Sequence, residues 1–350
     1  MDLQLNSLNV LIGANGAGKT NLISSFTLLN EIVKKRLEKF VRLSGGAETI
    51  LHFGQKVTDK IEIGLDFGPN SYELTLIPTN DDSLIFDSEF TLFHDTTHVP
   101  PPAQTSLGSG HSESNLIKYA EEWNRSVPKY VLSALKTWKV YHFHDTSSSA
   151  KVRKSCDIND NVELRPDASN LPAFLYRLQH QFPKHYKTLV KTIRMVAPFF
   201  DDFTLRADPL NGDTIRLEWK EVDSDVYMNA MALSDGTLRF ICLATVLQQP
   251  SELRPASIII DEPELGLHPY AIGILAGLIK QAASKMQVIV STQSVQLVNQ
   301  FDPENLIVVD LVDGVSKFTK PQAELIQDWL LNYSLGEIWE KNILGGRPTK

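Results

Sequence analysis

The sequence predicts an α/β fold with a mainly parallel sheet, an antiparallel β lobe and a helical insertion. Three observations carry that expectation. An apolar run, Leu8 to Ile12, leads into a glycine-rich segment that opens a helix-patterned stretch. A second apolar run, Ser257 to Ile260, ends in two carboxylates, Asp261 and Glu262. Between and beyond them the last third alternates helix and strand patterns, as crossover connections between parallel strands require.

The glycine-rich segment reads Gly13, Ala14, Asn15, Gly16, Ala17, Gly18, Lys19, Thr20 and fits G-x-x-x-x-G-K-[ST] at every fixed position. Its context is strand, tight loop and helix start. Backbone N–H groups of such a loop, continuing through Asn21 into the first helical turn, converge on a phosphate, and Lys19 adds a point charge at the β- and γ-phosphates. Thr20 would place its hydroxyl on Mg²⁺. The expected ligand is a nucleoside triphosphate. Asp261 and Glu262 end a strand where ligands of parallel sheets sit; Asp261 is expected to hold the Mg²⁺ shell and Glu262 to orient or deprotonate a water.

The remaining elements follow from periodicity. Asn21 to Leu43 reads as one long helix, with apolar residues at three- and four-residue steps, ended by Gly45 and Gly46. Strand patterns at 60–67 and 72–77 flank Gly68 and Pro69 as a hairpin, and 83–86 and 89–93 continue the pattern. The Pro- and Gly-rich stretch 100–110 reads as an exposed loop, and a boundary is placed there. The resulting division is an N-terminal lobe over 1–99, a mainly helical insertion over 100–200, a C-terminal lobe over 201–320 and a tail over 321–350. Strands are expected at 138–144, 203–207, 214–219 and 226–228, and then helix 236–247, strand 256–260, helix 270–284, strand 287–291, helix 294–299 and strand 305–310.

Composition narrows the function classes. Apolar content of 42% and charged content of 22% are ordinary for a globular protein, and no apolar run is long enough to cross a membrane. No signal-peptide pattern opens the chain, and two cysteines, Cys156 and Cys242, make no disulfide framework, so a cytoplasmic setting is expected. A net charge of −8 argues against a surface that coats nucleic acid throughout.

Four segments together resemble one family, the ABC-type ATPase heads of the RecF, SMC and OLD-like group. They are the phosphate loop Gly13 to Thr20, the run Leu233-Ser234-Asp235-Gly236-Thr237, the run from Asp261 to Pro269, and the run from Val288 to Ser294. The resemblance implies an ABC-type P-loop NTPase fold, with ATP and Mg²⁺ as ligands and two chains sandwiching two ATP molecules head to tail. Ser234, Asp235 and Gly236 would then contact the γ-phosphate held by the other chain's Lys19. Taken alone, the Leu-Ser-Asp-Gly run is a helix N-cap. Three departures accompany the resemblance. The signature reads Ser-Asp-Gly rather than Ser-Gly-Gly. Gln293 replaces the family's switch histidine, so turnover is expected to be slow. No residue fills the Q-loop plainly, Gln55 being the nearest candidate and equally a solvated turn. Such heads also usually open with an antiparallel strand pair and an adenine-stacking aromatic, and few residues precede Gly13. Base selectivity therefore does not follow from these residues, and ATP as the nucleotide comes from the resemblance.

Other features keep more than one reading. His142 and His144 share a strand face and could chelate a metal, serve the nucleotide cleft, or be hydrogen-bonded core residues. Lys184, Lys187, Lys191 and Arg194 fall on one face of a helix over 183–196, which is a solvated face, a contact for DNA or RNA backbone, or a surface for an acidic protein. Glu221, Asp223 and Asp225 read as solvated acids of a hairpin. The tail resembles the ends of stand-alone ATPases encoded beside a second protein in defence against phage or mobile DNA; the physical alternative is a docking helix that covers a sheet edge. The expected function is an ATP-hydrolysing dimer that switches a nucleic-acid-related or anti-phage complex through a separate nuclease or effector partner, with no membrane partner. The rivals are an ATP-gated scaffold with little turnover and a transporter ATPase subunit, the latter disfavoured by the roughly 215 residues between Lys19 and Ser234. A nuclease domain within the chain is not expected.

Overall fold

The computed structural model describes residues 1–94, 103–122 and 126–346. They form two compact units, one of Met1–Ile23 with Lys139–Lys350 and one of Ser24–Trp138. The boundary expected near residue 100 falls inside the second unit. Residues 100–102 of the expected loop lie outside the described residues, and Ala103–Gly108 is a strand paired with Leu84–Phe93.

The first unit is built on a six-stranded sheet of β1 (Leu8–Ile12), β2 (Trp138–Tyr141), β3 (Ser257–Asp261), β4 (Gln287–Thr292), β5 (Leu306–Val312) and β6 (Val315–Thr319), in the order β6-β5-β1-β4-β3-β2. Strand β1 runs parallel to β4 and β5, and β3 parallel to β4. Every residue of β1 and β3 is buried, which is why these segments read as continuous apolar runs and not as alternating ones. Alternation of side chains still divides them between two faces. Leu8, Val10, Ile12, Ile258, Ile260, Val288 and Val290 enter the large core beneath Asp235–Leu247 and Pro269–Ala283. On the opposite face stand Leu11, Ile259, Ile289 and Ile307, all buried, together with Asp261 and Ser291, which are paired in register. Strand β6 has no counterpart in the expected elements. Its antiparallel pairing with β5 turns at Asp313 and Gly314, both at positive φ (52° and 77°), the two-residue turn that suits a twisted hairpin. Two further three-stranded sheets complete this unit.

In the second unit, four antiparallel strands follow chain order: Ile61–Phe67, Asn70–Pro78, Leu84–Phe93 and Ala103–Gly108. The two short strands expected at 83–86 and 89–93 are one strand with a bulge, because the register shifts where Phe86 and Ser88 face Leu76 and Thr75. The long helix expected over 21–43 is two, Lys19–Val33 and Leu37–Leu43. Lys35 takes a left-handed φ of 54°, while Arg36 N–H reaches the Glu31 carbonyl and Lys35 N–H that of Ile32. That is a Schellman termination with lysine where glycine is usual, which hid it in a sequence whose apolar period continues through the break. Among the described residues no helix is long and apolar enough to cross a membrane.

Candidate nucleotide-binding site

The phosphate loop leaves the C-terminal end of β1 and enters the helix Lys19–Val33. Its glycines are fixed by close approach. A Cβ on Gly13 would stand 2.3 Å from the Val309 carbonyl oxygen, and one on Gly18, at φ 110°, 2.0 Å from Ser316 Oγ. The β5–β6 hairpin, whose second strand was not among the expected elements, therefore backs the loop. Lys19 is buried and its ammonium donates to the carbonyls of Gly13 (2.6 Å) and Ala14 (2.9 Å). Burial pushes its pKa down, and Glu262, Asp261 and Glu264 pull in the opposite direction.

One cavity of about 110 Å³ is lined by Asn15, Gly16, Gly18, Lys19, Thr20 and Asn21 from the loop, by Asp261 and Glu262 from the end of β3, and by Ser291 and Gln293 from the end of β4. The two sequence-predicted halves of the site thus share one wall space. Glu262 takes a left-handed φ of 43° and its N–H bonds the Ser291 carbonyl at 2.8 Å. Its Oε1 accepts from Gln293 Nε2 at 2.5 Å. Beside it Glu264 Oε1 accepts from Thr292 Oγ1 (2.5 Å) and from Gln293 N–H (3.3 Å). Burial raises the Glu264 pKa, and its Oε2 is enclosed with no hydrogen-bond partner among the described residues.

The donor set suits Mg²⁺ held together with phosphate oxygens. Thr20 and Asp261 offer a hydroxyl and a carboxylate, hard oxygens of the kind Mg²⁺ selects when it binds through few protein ligands. Ser291 Oγ, buried beside Asp261 and without a partner among the described residues, adds an unsatisfied polar atom to the same wall. Among the described residues no group of three or more His, Cys, Asp or Glu could hold a metal without such help.

The signature residues sit elsewhere. Ser234 caps the helix Asp235–Leu247, its Oγ accepting from Thr237 N–H at 3.1 Å. Ser234 and Asp235 are exposed, and neither lines the cavity. Gly236 approaches the Gly266 carbonyl so closely that a Cβ would stand 2.4 Å away. Two arginines to which the motifs assign no role brace this region. Arg239 is buried and donates to the carbonyls of Phe143 (2.7 Å), His144 (2.8 Å) and Leu265. Arg153 bonds the carbonyls of Thr146 (2.7 Å), Leu233 (3.1 Å) and Ala230, and pairs with Asp235 at 2.7 Å. A lone arginine inside the apolar run Leu238 to Leu243 is the sequence signal that could have flagged Arg239. His144 Nε2 lies 3.0 Å from the Asp261 carbonyl oxygen, which sets its proton on Nε2. Burial lowers the His142 pKa, against a raising effect of Asp261. Both histidines therefore stand near the end of β3.

Gln55, in the second unit, donates its amide to Asp82 at 2.9 Å. Lys184, Lys187 and Lys191 are exposed on the helix Pro183–Val196, whose other face is buried through Tyr186, Leu189, Val190 and Ile193; Arg194 is held by Asp201 at 2.6 Å.

A mostly parallel sheet with a phosphate loop and acidic strand end in one cavity defines an ATPase domain of the AAA/ABC P-loop class. The chain belongs to the family described as "AAA domain, putative AbiEii toxin, Type IV TA system", whose profile matches residues 8–299. Among curated proteins it is 26% identical over 117 residues to "Phosphate import ATP-binding protein PstB 3" of Streptococcus pneumoniae, covering 32% of this chain and 45% of that protein. It is 25% identical over 268 residues to "Phosphate import ATP-binding protein PstB 1" of Lactobacillus johnsonii, covering 73% and 91%. The chain thus spans less than half the length of the former relative. Its fold is similar to an SMC head crystallised with the C-winged helix domain of ScpA (TM-score 0.56, 15% identity, 93% of this chain and 94% of the other). It is also similar to an SMC head with an extended coiled coil bound to the C-terminal domain of ScpA, from Pyrococcus furiosus (TM-score 0.50, 14% identity, 94% of each).

Proposed function

We propose that this chain hydrolyses ATP slowly at a composite site completed by a second copy, and that the closed pair is a switch acting on a separate effector. One observation carries the dimer reading: the cavity joins the phosphate loop, Asp261, Glu262 and Gln293, while Ser234 and Asp235 present an exposed helix N-terminus outside it. The first N–H groups of a helix are donors in search of an anion. A head-to-tail pair brings those donors to the γ-phosphate of the other copy.

When bound, ATP supplies the phosphoryl group and Mg²⁺ the charge neutralisation. Lys19 and the loop N–H groups bind the phosphates, Thr20 and Asp261 hold the metal, and Glu262 accepts a proton from the attacking water. Gln293 fixes the Glu262 carboxylate by its hydrogen bond but carries neither charge nor a transferable proton. That favours a long-lived closed state, and with it a second reading in which the closed state is the output and turnover only resets it. The family description, with its toxin and toxin–antitoxin terms, supports a toxin–antitoxin or anti-phage defence setting for this ATPase. The ScpA-bound SMC heads support a docked protein partner. Lys184, Lys187 and Lys191 are proposed to contact nucleic-acid phosphates. Single-turnover against steady-state ATPase rates, with molar mass measured in the same samples, test the reading. Hydrolysis with a dimer that forms only with ATP supports it; a monomer under all nucleotide conditions opposes it.

A further inference from the structure

We propose that Ser291 is a ligand-binding residue of the nucleotide site, its hydroxyl bonding to the water shell of the metal held by Thr20 and Asp261. The inference rests on the ATP-site reading and adds a residue that the phosphate-loop and acidic-strand motifs do not include. Ser291 is in register with Asp261 across the parallel pair β3–β4, so their side chains share a face of the sheet. That is the face away from the large core, since Val288 and Val290 of the same strand enter that core. Ser291 lines the cavity with Thr20, Asp261 and Glu262.

The residue is 0% exposed, yet its Oγ has no hydrogen-bond partner among the described residues. Its carbonyl is engaged with Glu262 N–H, so only the hydroxyl is left over. On the third strand of the same row the residue paired with Ser291 is Leu11, which offers it nothing polar. A buried hydroxyl left unpaired costs about 1–3 kcal/mol, and apolar residues fill the row of β4 at Ile289. A hydroxyl beside the metal-holding carboxylate has its partner supplied by the ligand. Mg²⁺ keeps several of its own waters when it binds through one or two protein groups, and those waters need acceptors such as a serine oxygen.

The test uses the full chain, ATP and Mg²⁺, and reads thermal stability instead of turnover. Ser291→Ala is compared with wild type without ligand, with ATP and EDTA, and with ATP across a Mg²⁺ titration. The expected result has three parts. The unliganded melting temperature is equal or higher, because an unsatisfied hydroxyl is gone. The shift caused by ATP in EDTA is unchanged. The Mg²⁺ concentration for half of the MgATP shift rises about 10- to 150-fold, the range of one lost hydrogen bond at a charged centre. An unchanged Mg²⁺ midpoint overturns the proposal. A lower unliganded melting temperature also overturns it, by showing that the hydroxyl serves the protein's own packing. A wild type that MgATP does not stabilise removes the ATP reading itself, and this proposal with it.

Discussion

Gln293 Nε2 donates to Oε1 of Glu262 across 2.5 Å, and the backbone N–H of the same Gln293 reaches Glu264. Glu262 is thus held from the neighbouring strand end by a group that cannot ionise. This single relationship ties the end of β3 to the end of β4 and sets what each residue can do.

Glu262→Gln is expected to lose about 10²–10⁴-fold in turnover, the range for a positioned general base. ATP binding and the ATP-dependent dimer persist, because the phosphate loop is untouched. Phosphate release and molar mass, measured on the same variant, check both halves.

Gln293→His restores a titratable group beside Glu262. Turnover in that variant acquires a limb at about pH 6.5, the ordinary value for imidazole, that wild type lacks. Gln293→Ala loses the hydrogen bond and lowers turnover by about 3- to 30-fold. A pH–rate profile of the three proteins is the check.

Glu264 has a raised pKa because of burial. A carboxyl whose folded pKa exceeds its unfolded value favours folding in acid, below the ordinary glutamate value of 4.5, and loses that contribution as pH rises through the folded pKa. Glu264→Gln, which keeps an acceptor for Thr292 and Gln293, should therefore gain stability relative to wild type as pH rises from about 4.5 toward neutrality. Denaturant midpoints at pH 5 and pH 8 give the sign.

Arg239→Lys replaces a planar fork, bonded to the carbonyls of Phe143, His144 and Leu265, by a single ammonium. Up to two buried carbonyls are then left unpaired, at about 1–3 kcal/mol each. The variant should unfold at lower denaturant concentration.

Reversing Lys184, Lys187 and Lys191 to Glu should leave folding intact, since all three are exposed. DNA affinity falls, and its salt slope drops by up to about three, one for each lost phosphate contact. An unchanged slope removes the nucleic-acid contact.

The parts of the fold that were legible obey a local rule. The helix Asp235–Leu247 and strands β3 and β4 lie within a residue or so of their expected bounds, because caps and apolar runs mark their ends. The break at Lys35 was illegible because its signal is a backbone conformation that lysine rarely takes. Strand β6 was illegible because its residues alternate between exposed and half-buried, leaving no apolar stripe to read. In the site, the phosphate loop, Asp261 and Glu262 are motif residues and could be read directly. Arg153, Ser291 and the Gln293–Glu262 bond depend on which strands become neighbours, and one-dimensional spacing does not carry that information.

If two copies complete one site, two defects placed on different chains must complement each other. Lys19→Ala and Ser234→Arg are purified separately, shown to be folded, and assayed for ATP hydrolysis alone and after mixing. In a head-to-tail pair a mixed dimer holds one site with both defects and one with neither. Each variant alone should be inactive and the mixture should recover hydrolysis. Full activity of Ser234→Arg alone, or no recovery in the mixture of folded variants, would contradict the account.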